Sequence, residues 1–154
     1  MKPRTGSICP IVYSLDVWGD PWSLVVLRDV LIHGKRHYRE FIASPEGIAT
    51  NVLSAKFASL VEAGMLEKRT GRTRADTMYL PTEATFDFLP VMFAVMRWGI
   101  AHNPHADASG PVMQRLLNDP DGLAADLLAA RRADLASIPR RVNHHHTHVL
   151  TGVT

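Results

Sequence analysis

The apolar positions fall into short stripes at helical spacing, separated by glycine and proline. Ile11, Val12, Leu15 and Trp18 form the first stripe, which Pro10 can open and Gly19 ends. Asp20-Pro21 marks a second helix start: a side-chain acceptor, then a residue that needs no N–H in the first turn. This helix runs from Trp22 to about Ile32 and stops at Gly34. Its wide apolar side (Trp22, Val25, Val26, Leu27, Val30, Leu31) predicts that it is mostly buried. A short third helix is predicted from Tyr38 to Ala43, with Phe41 and Ile42 inward, before a turn at Ser44-Pro45-Glu46-Gly47. The fourth, from Thr50 to about Ala63, aligns Val52, Leu53, Phe57, Leu60 and Val61 on one stripe. Asn51, Ser54, Ala55, Ala58 and Glu62 lie on another side, and Gly64 is the C-terminal stop.

The period then changes. Met65–Lys68 and Thr77–Leu80 read as two strands of a hairpin, with Thr70–Asp76 and Gly71 at the tip and Pro81 closing the second strand. Thr82 and Glu83 open a long helix that continues past Pro90, with a kink there, to about His102. Asn103-Pro104-His105 breaks it. Further helices are predicted at Pro111–Leu117 and from Pro120 or Asp121 to about Ser137. Residues 1–7 and 140–154 read as loose ends.

Composition narrows the class. At 154 residues, 46% hydrophobic and 21% charged, the chain is globular and of about one-domain length. The division expected is a main domain over 1–103, a helical extension packed on it over 104–139, and a tail over 140–154. The longest apolar candidate, Phe86–Ala101, carries Asp87, Pro90 and Arg97, so no membrane span is expected. No secretory signal is read, and the single cysteine, Cys9, fits a reducing cytoplasm.

Charge is uneven. Residues 1–80 hold 11 Lys/Arg against 8 Asp/Glu, whereas 81–154 hold 6 against 7. The excess sits in His33–Arg39, with Lys35, Arg36 and Arg39, and in Lys68–Arg74, with Lys68, Arg69, Arg72 and Arg74. Helix, helix, short helix, helix, hairpin, helix is the winged helix-turn-helix order. The fourth helix would read a major groove and the basic hairpin would reach neighbouring phosphates or the minor groove. The two clusters fall on the bracing helix and on the wing, which points to a polyanion partner, double-stranded DNA.

The chain resembles the HxlR-type winged-helix regulators, relatives of the MarR group. The likeness is carried by Cys9-Pro10-Ile11, Gly19–Leu24, Leu27-Arg28-Asp29, Gly47-Ile48, Asn51–Ser54, Leu60, Glu62–Leu66, Tyr79, Leu89-Pro90-Val91 and Trp98-Gly99. The resemblance implies a mainly α fold with a small β-hairpin wing. It also implies a bacterial or archaeal DNA-binding regulator, homodimeric through the first helix and the helix over 82–102, in some members responsive to oxidants or electrophiles through an N-terminal cysteine. The chain departs from the pattern at Ala49, a poor N-cap, at Ala55, at Pro81, Thr82 and Thr85, and in the length of residues 105–154.

The expected DNA contacts are Thr50, Asn51 and Ser54 on bases or phosphates, and Lys56 on phosphate. Arg72 and Arg74 would act at the wing tip, with support from Lys35, Arg36 and Arg39. Cys9, where a thiol meets the positive end of a helix, is the candidate redox sensor. His144-His145-His146 and His148 lack nearby cysteines or carboxylates for a structural zinc site, so no metal and no cofactor are assigned. A metal-responsive regulator using that run, or a winged-helix protein-interaction module, are the alternatives. A small-molecule effector between the long helices is conceivable. No phosphate-cradling loop, catalytic triad, HExxH or CxxC is present, so no enzymatic activity is read.

Overall fold

The computed structural model describes residues 8–139, except for the side chain of Arg74. The expectations for residues 1–7, the tail and its histidine run lie outside these residues. The elements are α1 (Pro10–Trp18), α2 (Pro21–Leu31), α3 (Tyr38–Ile42), α4 (Thr50–Glu62), β1 (Leu66–Arg69), β2 (Met78–Pro81), α5 (Glu83–Asp87), α6 (Leu89–His102), α7 (Pro111–Asn118) and α8 (Pro120–Ser137). The fold is mainly helical with one antiparallel hairpin, as the pattern predicts. Leu66 pairs with Pro81 and Arg69 with Met78. His37 adds a single bridge to Met78.

Helix α2 is the centre of the core. Its Val26, Leu27, Val30 and Leu31 are almost fully buried against Leu53, Phe57 and Leu60 of α4 and Phe93 of α6. Phe41 meets Phe57 edge-on at 4.9 Å, and Phe57 stacks on Tyr79 of β2 at 3.7 Å, so one ring ties α3, α4 and the wing together. Leu116 of α7 and Leu123 of α8 belong to the same core.

One expectation changes, and a second concerns the longest apolar stretch. The long helix is divided at Phe88, two residues before Pro90, which lies in the first turn of α6. Proline has no N–H to continue the α5 ladder, so a break before it costs less than a kink through it. Secondly, the stretch Glu83–His102 is 20 residues long with mean hydropathy 1.3, long and apolar enough to cross a membrane by composition. The longest-run reading missed this because scattered charged residues interrupt the sequence without much lowering the mean. Phe86, Phe88, Leu89, Met92 and Phe93 use that apolar character inside the core.

The entrance to α3 and the turn after it are fixed by one carboxylate. Asp29 is 1% exposed. Its Oδ1 accepts from Arg28 Nη2 at 2.6 Å and Nε at 3.0 Å; its Oδ2 accepts from Lys35 Nζ and from Ser44 Oγ, each at 2.7 Å. Arg28 Nη1 reaches on to Glu46 Oε1 at 2.6 Å. Burial works against ionisation of Asp29, but the bonds from Lys35, Ser44 and Arg28 outweigh it and hold the carboxyl below its usual range. A group with a depressed folded pKa stabilises above the ordinary carboxylate range, and that stability is lost as pH falls through the folded value. Asp29→Asn should therefore cost about 2–3 kcal/mol in urea unfolding at neutral pH, since it leaves the half-buried Arg28 and Lys35 without their shared charged partner. The variant should also lose less stability than the parent on acidification; parallel pH profiles would refute the assignment.

Candidate nucleic-acid interface

Helix α4 shows one face to solvent. Thr50, Asn51, Ser54, Ala55 and Ala58 are exposed, while Leu53, Phe57 and Leu60 are buried. The alternation follows from helical spacing: residues 50, 51, 54 and 58 lie on one side, and 53, 57 and 60 turn toward α2. Ala49 is the N-cap and supplies no side-chain bond. The first-turn N–H groups thus receive no cap from that residue, as expected of alanine there.

Tyr38, the first residue of α3, holds this face in place. Its hydroxyl donates to the Thr50 carbonyl at 2.7 Å and lies 3.2 Å from Ser54 Oγ. Glu40 in turn fixes the start of α3, accepting from the backbone N–H of Arg36 at 2.8 Å and of His37 at 2.6 Å. Burial opposes ionisation of Glu40, but these N–H donors prevail and keep its carboxyl low. Between α3, α4 and the wing lies an open cleft of about 400 Å³, with Tyr38, Ser54, Lys68, Thr77 and Tyr79 on its walls. Tyr38 and Lys68 are site residues that the sequence reading did not single out. The sequence signal for Lys68 was its charge cluster; Tyr38 gave none, because its role depends on a contact 12 residues away.

The expected basic residues divide into two groups. Lys35 is committed to Asp29 and Ser44, and Lys56 to Asp20, at 3.1 Å. Asp20 also caps α2 through Trp22 N and Ser23 N. Burial disfavours the Asp20 carboxylate, but Ser23 and Lys56 outweigh that and lower its pKa. Arg36 is partly exposed, with Asp134 Oδ1 4.0 Å away. Arg39 and Arg72 stand exposed on α3 and on the wing. Arg74 begins a short 3₁₀ turn, Arg74–Asp76. The wing loop is closed by Asp76, whose Oδ2 accepts from Thr73 Oγ1 at 2.8 Å and Thr73 N at 3.1 Å. Those two bonds also keep its carboxyl acidic. Gly71 is needed because a Cβ there would lie 2.1 Å from that of Asp76.

Away from this face, α1 and α6 expose apolar side chains: Ile8 just before α1, Ile11, Tyr13 and Leu15 on it, and Val91, Val95 and Trp98 on α6. Trp98 is 67% exposed. Cys9, the N-cap of α1, is exposed beside Ile8 and Ile11. Among the described residues, no group of three His, Cys, Asp or Glu side chains is placed to hold a metal.

Comparison with known proteins bears on this arrangement. The profile of the HxlR-like helix-turn-helix family matches residues 17–107. An uncharacterised HTH-type transcriptional regulator of Synechocystis is 31% identical over 65 residues, 42% of this chain, which spans about half (47%) of that relative's length. Among solved structures, the candidate transcription factor PA1607 is 30% identical with a TM-score of 0.60, over 66% of this chain and 72% of its own. The redox regulator HypR in its oxidised form is 23% identical with a TM-score of 0.56, over 62% of this chain and 98% of its own, a likeness of fold. The order of elements, the residues that carry the likeness and a profile match over more than half the length agree: the chain belongs to the HxlR-like helix-turn-helix family.

Proposed function

We propose that this protein is a cytoplasmic transcriptional regulator that binds double-stranded DNA sequence-specifically as a homodimer. The observation that carries the reading is the exposed Thr50–Asn51–Ser54 face of α4, held by Tyr38 and flanked by Arg39 and by the wing with Arg72 and Arg74. Asparagine can make a paired contact to adenine, and the hydroxyls of Thr50 and Ser54 suit bases or phosphates. The uncapped first turn of α4 adds backbone donors next to the backbone of a groove-bound duplex. Lys35 and Lys56, tied by ion pairs, act in this reading mainly by positioning α3 and α4; Arg36, Arg39, Arg72 and Arg74 carry the phosphate contacts.

The apolar faces of α1 and α6 support dimerisation. Ile11, Leu15, Val95 and Trp98 are large and exposed on two helices, a pattern that monomers seldom leave open. A two-fold dimer would set its reading helices about 34 Å apart on a roughly palindromic operator. Residues 104–139 belong to the same body in this reading, because Leu116 and Leu123 close its core.

A second reading concerns control. Cys9 stands exposed beside the α1 apolar face, and the similar fold of HypR belongs to a redox regulator. Oxidation to a disulfide between subunits, or with a small thiol, would act on the dimer. A small-molecule effector is the other form of control.

Four outcomes test these readings. Fluorescence anisotropy on a labelled duplex from the upstream region should show selective binding whose log affinity falls with log salt at a slope near −7, for about eight phosphates neutralised per dimer. Arg72→Ala with Arg74→Ala should weaken binding to every duplex and flatten that slope by roughly 2–4; an unaltered slope removes the wing from the interface. Ile11→Lys with Trp98→Lys should give a monomer by analytical ultracentrifugation with unchanged helicity, since both side chains are exposed; a retained dimer mass places the interface elsewhere. Cys9→Ser should abolish any oxidant-induced change in DNA affinity, and persistence of that change would exclude the thiol as sensor.

A further inference from the structure

Helix α8 lies beyond the family match, which ends at residue 107, yet its last two turns grip the segment leading into the helix-turn-helix. Arg131 is packed on the backbone of Gly34, where an added Cβ would fall 1.7 Å from Nη1. Gly34 holds a left-handed φ of 66°, the conformation that favours glycine there. Arg131 Nε lies 3.3 Å from Asp134 Oδ2. The other oxygen of that carboxylate faces Arg36 Nη2 at 4.0 Å. On the opposite side, Arg132 bonds Glu83 at 2.8 Å and sits 5.0 Å above the Phe86 ring. The end of α8 is thus held between the α2–α3 loop and α5, with its carboxylate directed at Arg36.

We infer that Asp134 is an internal competitor for the DNA phosphate at Arg36, so that α8 restrains duplex binding. The inference rests on the DNA-binding reading above. Lys35 and Lys56 are locked in shorter contacts, at 2.7 and 3.1 Å. The Arg36–Asp134 pair is the longest among the described residues, and about a third of each side chain is open to solvent. It is therefore the loosest ion pair on the segment leading into α3, and the one there that exchanges partners most easily. A carboxylate offers a guanidinium the charge and paired oxygens that a phosphate also offers. Arg36 stands two residues before Tyr38, whose hydroxyl is bonded to the first turn of the reading helix. The Arg36 backbone carbonyl accepts from Tyr79 N–H of β2 at 2.8 Å, so the residue is anchored between α3 and the wing.

The test uses the full-length protein and the duplex already described. Asp134→Asn keeps the shape of the side chain and removes its charge. It should lower the Tm by no more than a few degrees, since Arg131 also loses a charged partner, and raise DNA affinity by about three- to fivefold with the salt slope unchanged, because Arg36 reaches the same phosphate once freed of Asp134. In an Arg36→Ala background the same substitution should give no gain. An equal gain in both backgrounds would overturn the inference in favour of a general charge effect. Lost affinity with a lowered Tm would overturn it in favour of a purely structural brace. Failure of the parent protein to bind any duplex in a salt-dependent way would sink the DNA-binding reading itself, an outcome visible before any variant is made.

Discussion

A carboxylate sealed inside a protein must be surrounded by donors, and Asp29 imposes that demand on everything around it. Its neighbours come from three places: Arg28 on the same helix, Lys35 in the loop that follows, and Ser44 after α3. With these satisfied, the loop into α3 and the turn out of it have one position relative to α2. The angle at which α4 presents its polar face is set from there. The apolar contacts of Leu53, Phe57 and Leu60 supply the larger share of the stability. They are less directional, and the bonds to Asp29 add geometric specificity to them.

That demand also redistributes the positive charge. A count of cations along the chain makes Lys35, Arg36, Arg39, Lys56, Arg72 and Arg74 equal candidates for a polyanion. In the folded chain Lys35 neutralises Asp29, and Lys56 neutralises Asp20 at the start of α2. Arg39 and Arg72 remain exposed, and Arg36 stands between the two groups with the loosest partner. The same basic stretch therefore serves both the interior and the surface, and the carboxylates of Asp29, Asp20 and Asp134 decide which cation goes where.

The molecule has two further faces of different chemistry. The side made by α4, α3 and the wing is polar and basic. The α1–α6 side is apolar and carries Cys9 at its edge. In the proposed reading the first meets a nucleic acid and the second a second copy of the chain, and the core around α2 joins them. A change at the apolar face can reach α4 directly, since α1 packs on it, and through that core, where Trp18 of α1 meets Phe88 at 4.9 Å and Phe88 packs in the cluster with Leu53 and Phe57.

The helices were legible because their signals are local. Asp20-Pro21 caps and starts α2, Gly64 stops α4, and the 3.6-residue period separates Leu53, Phe57 and Leu60 from Asn51, Ser54 and Ala58 with no tertiary information. The hairpin and its glycine were equally readable. The break at Phe88 was not, since proline in the first turn of a helix and proline at a kink look alike in sequence. The pairing of cations was also beyond reach, because Lys56 meets Asp20 across 36 positions and Arg36 meets Asp134 across 98. The sequence by itself determined the order of elements, the polar face of α4 and the arginine-rich wing, all properties of neighbouring residues. Only the tertiary structure decided which charges stay exposed, that Tyr38 holds the reading helix, and that the C-terminal extension reaches back to Arg36. Each of these depends on the distance between residues that folding alone brings together.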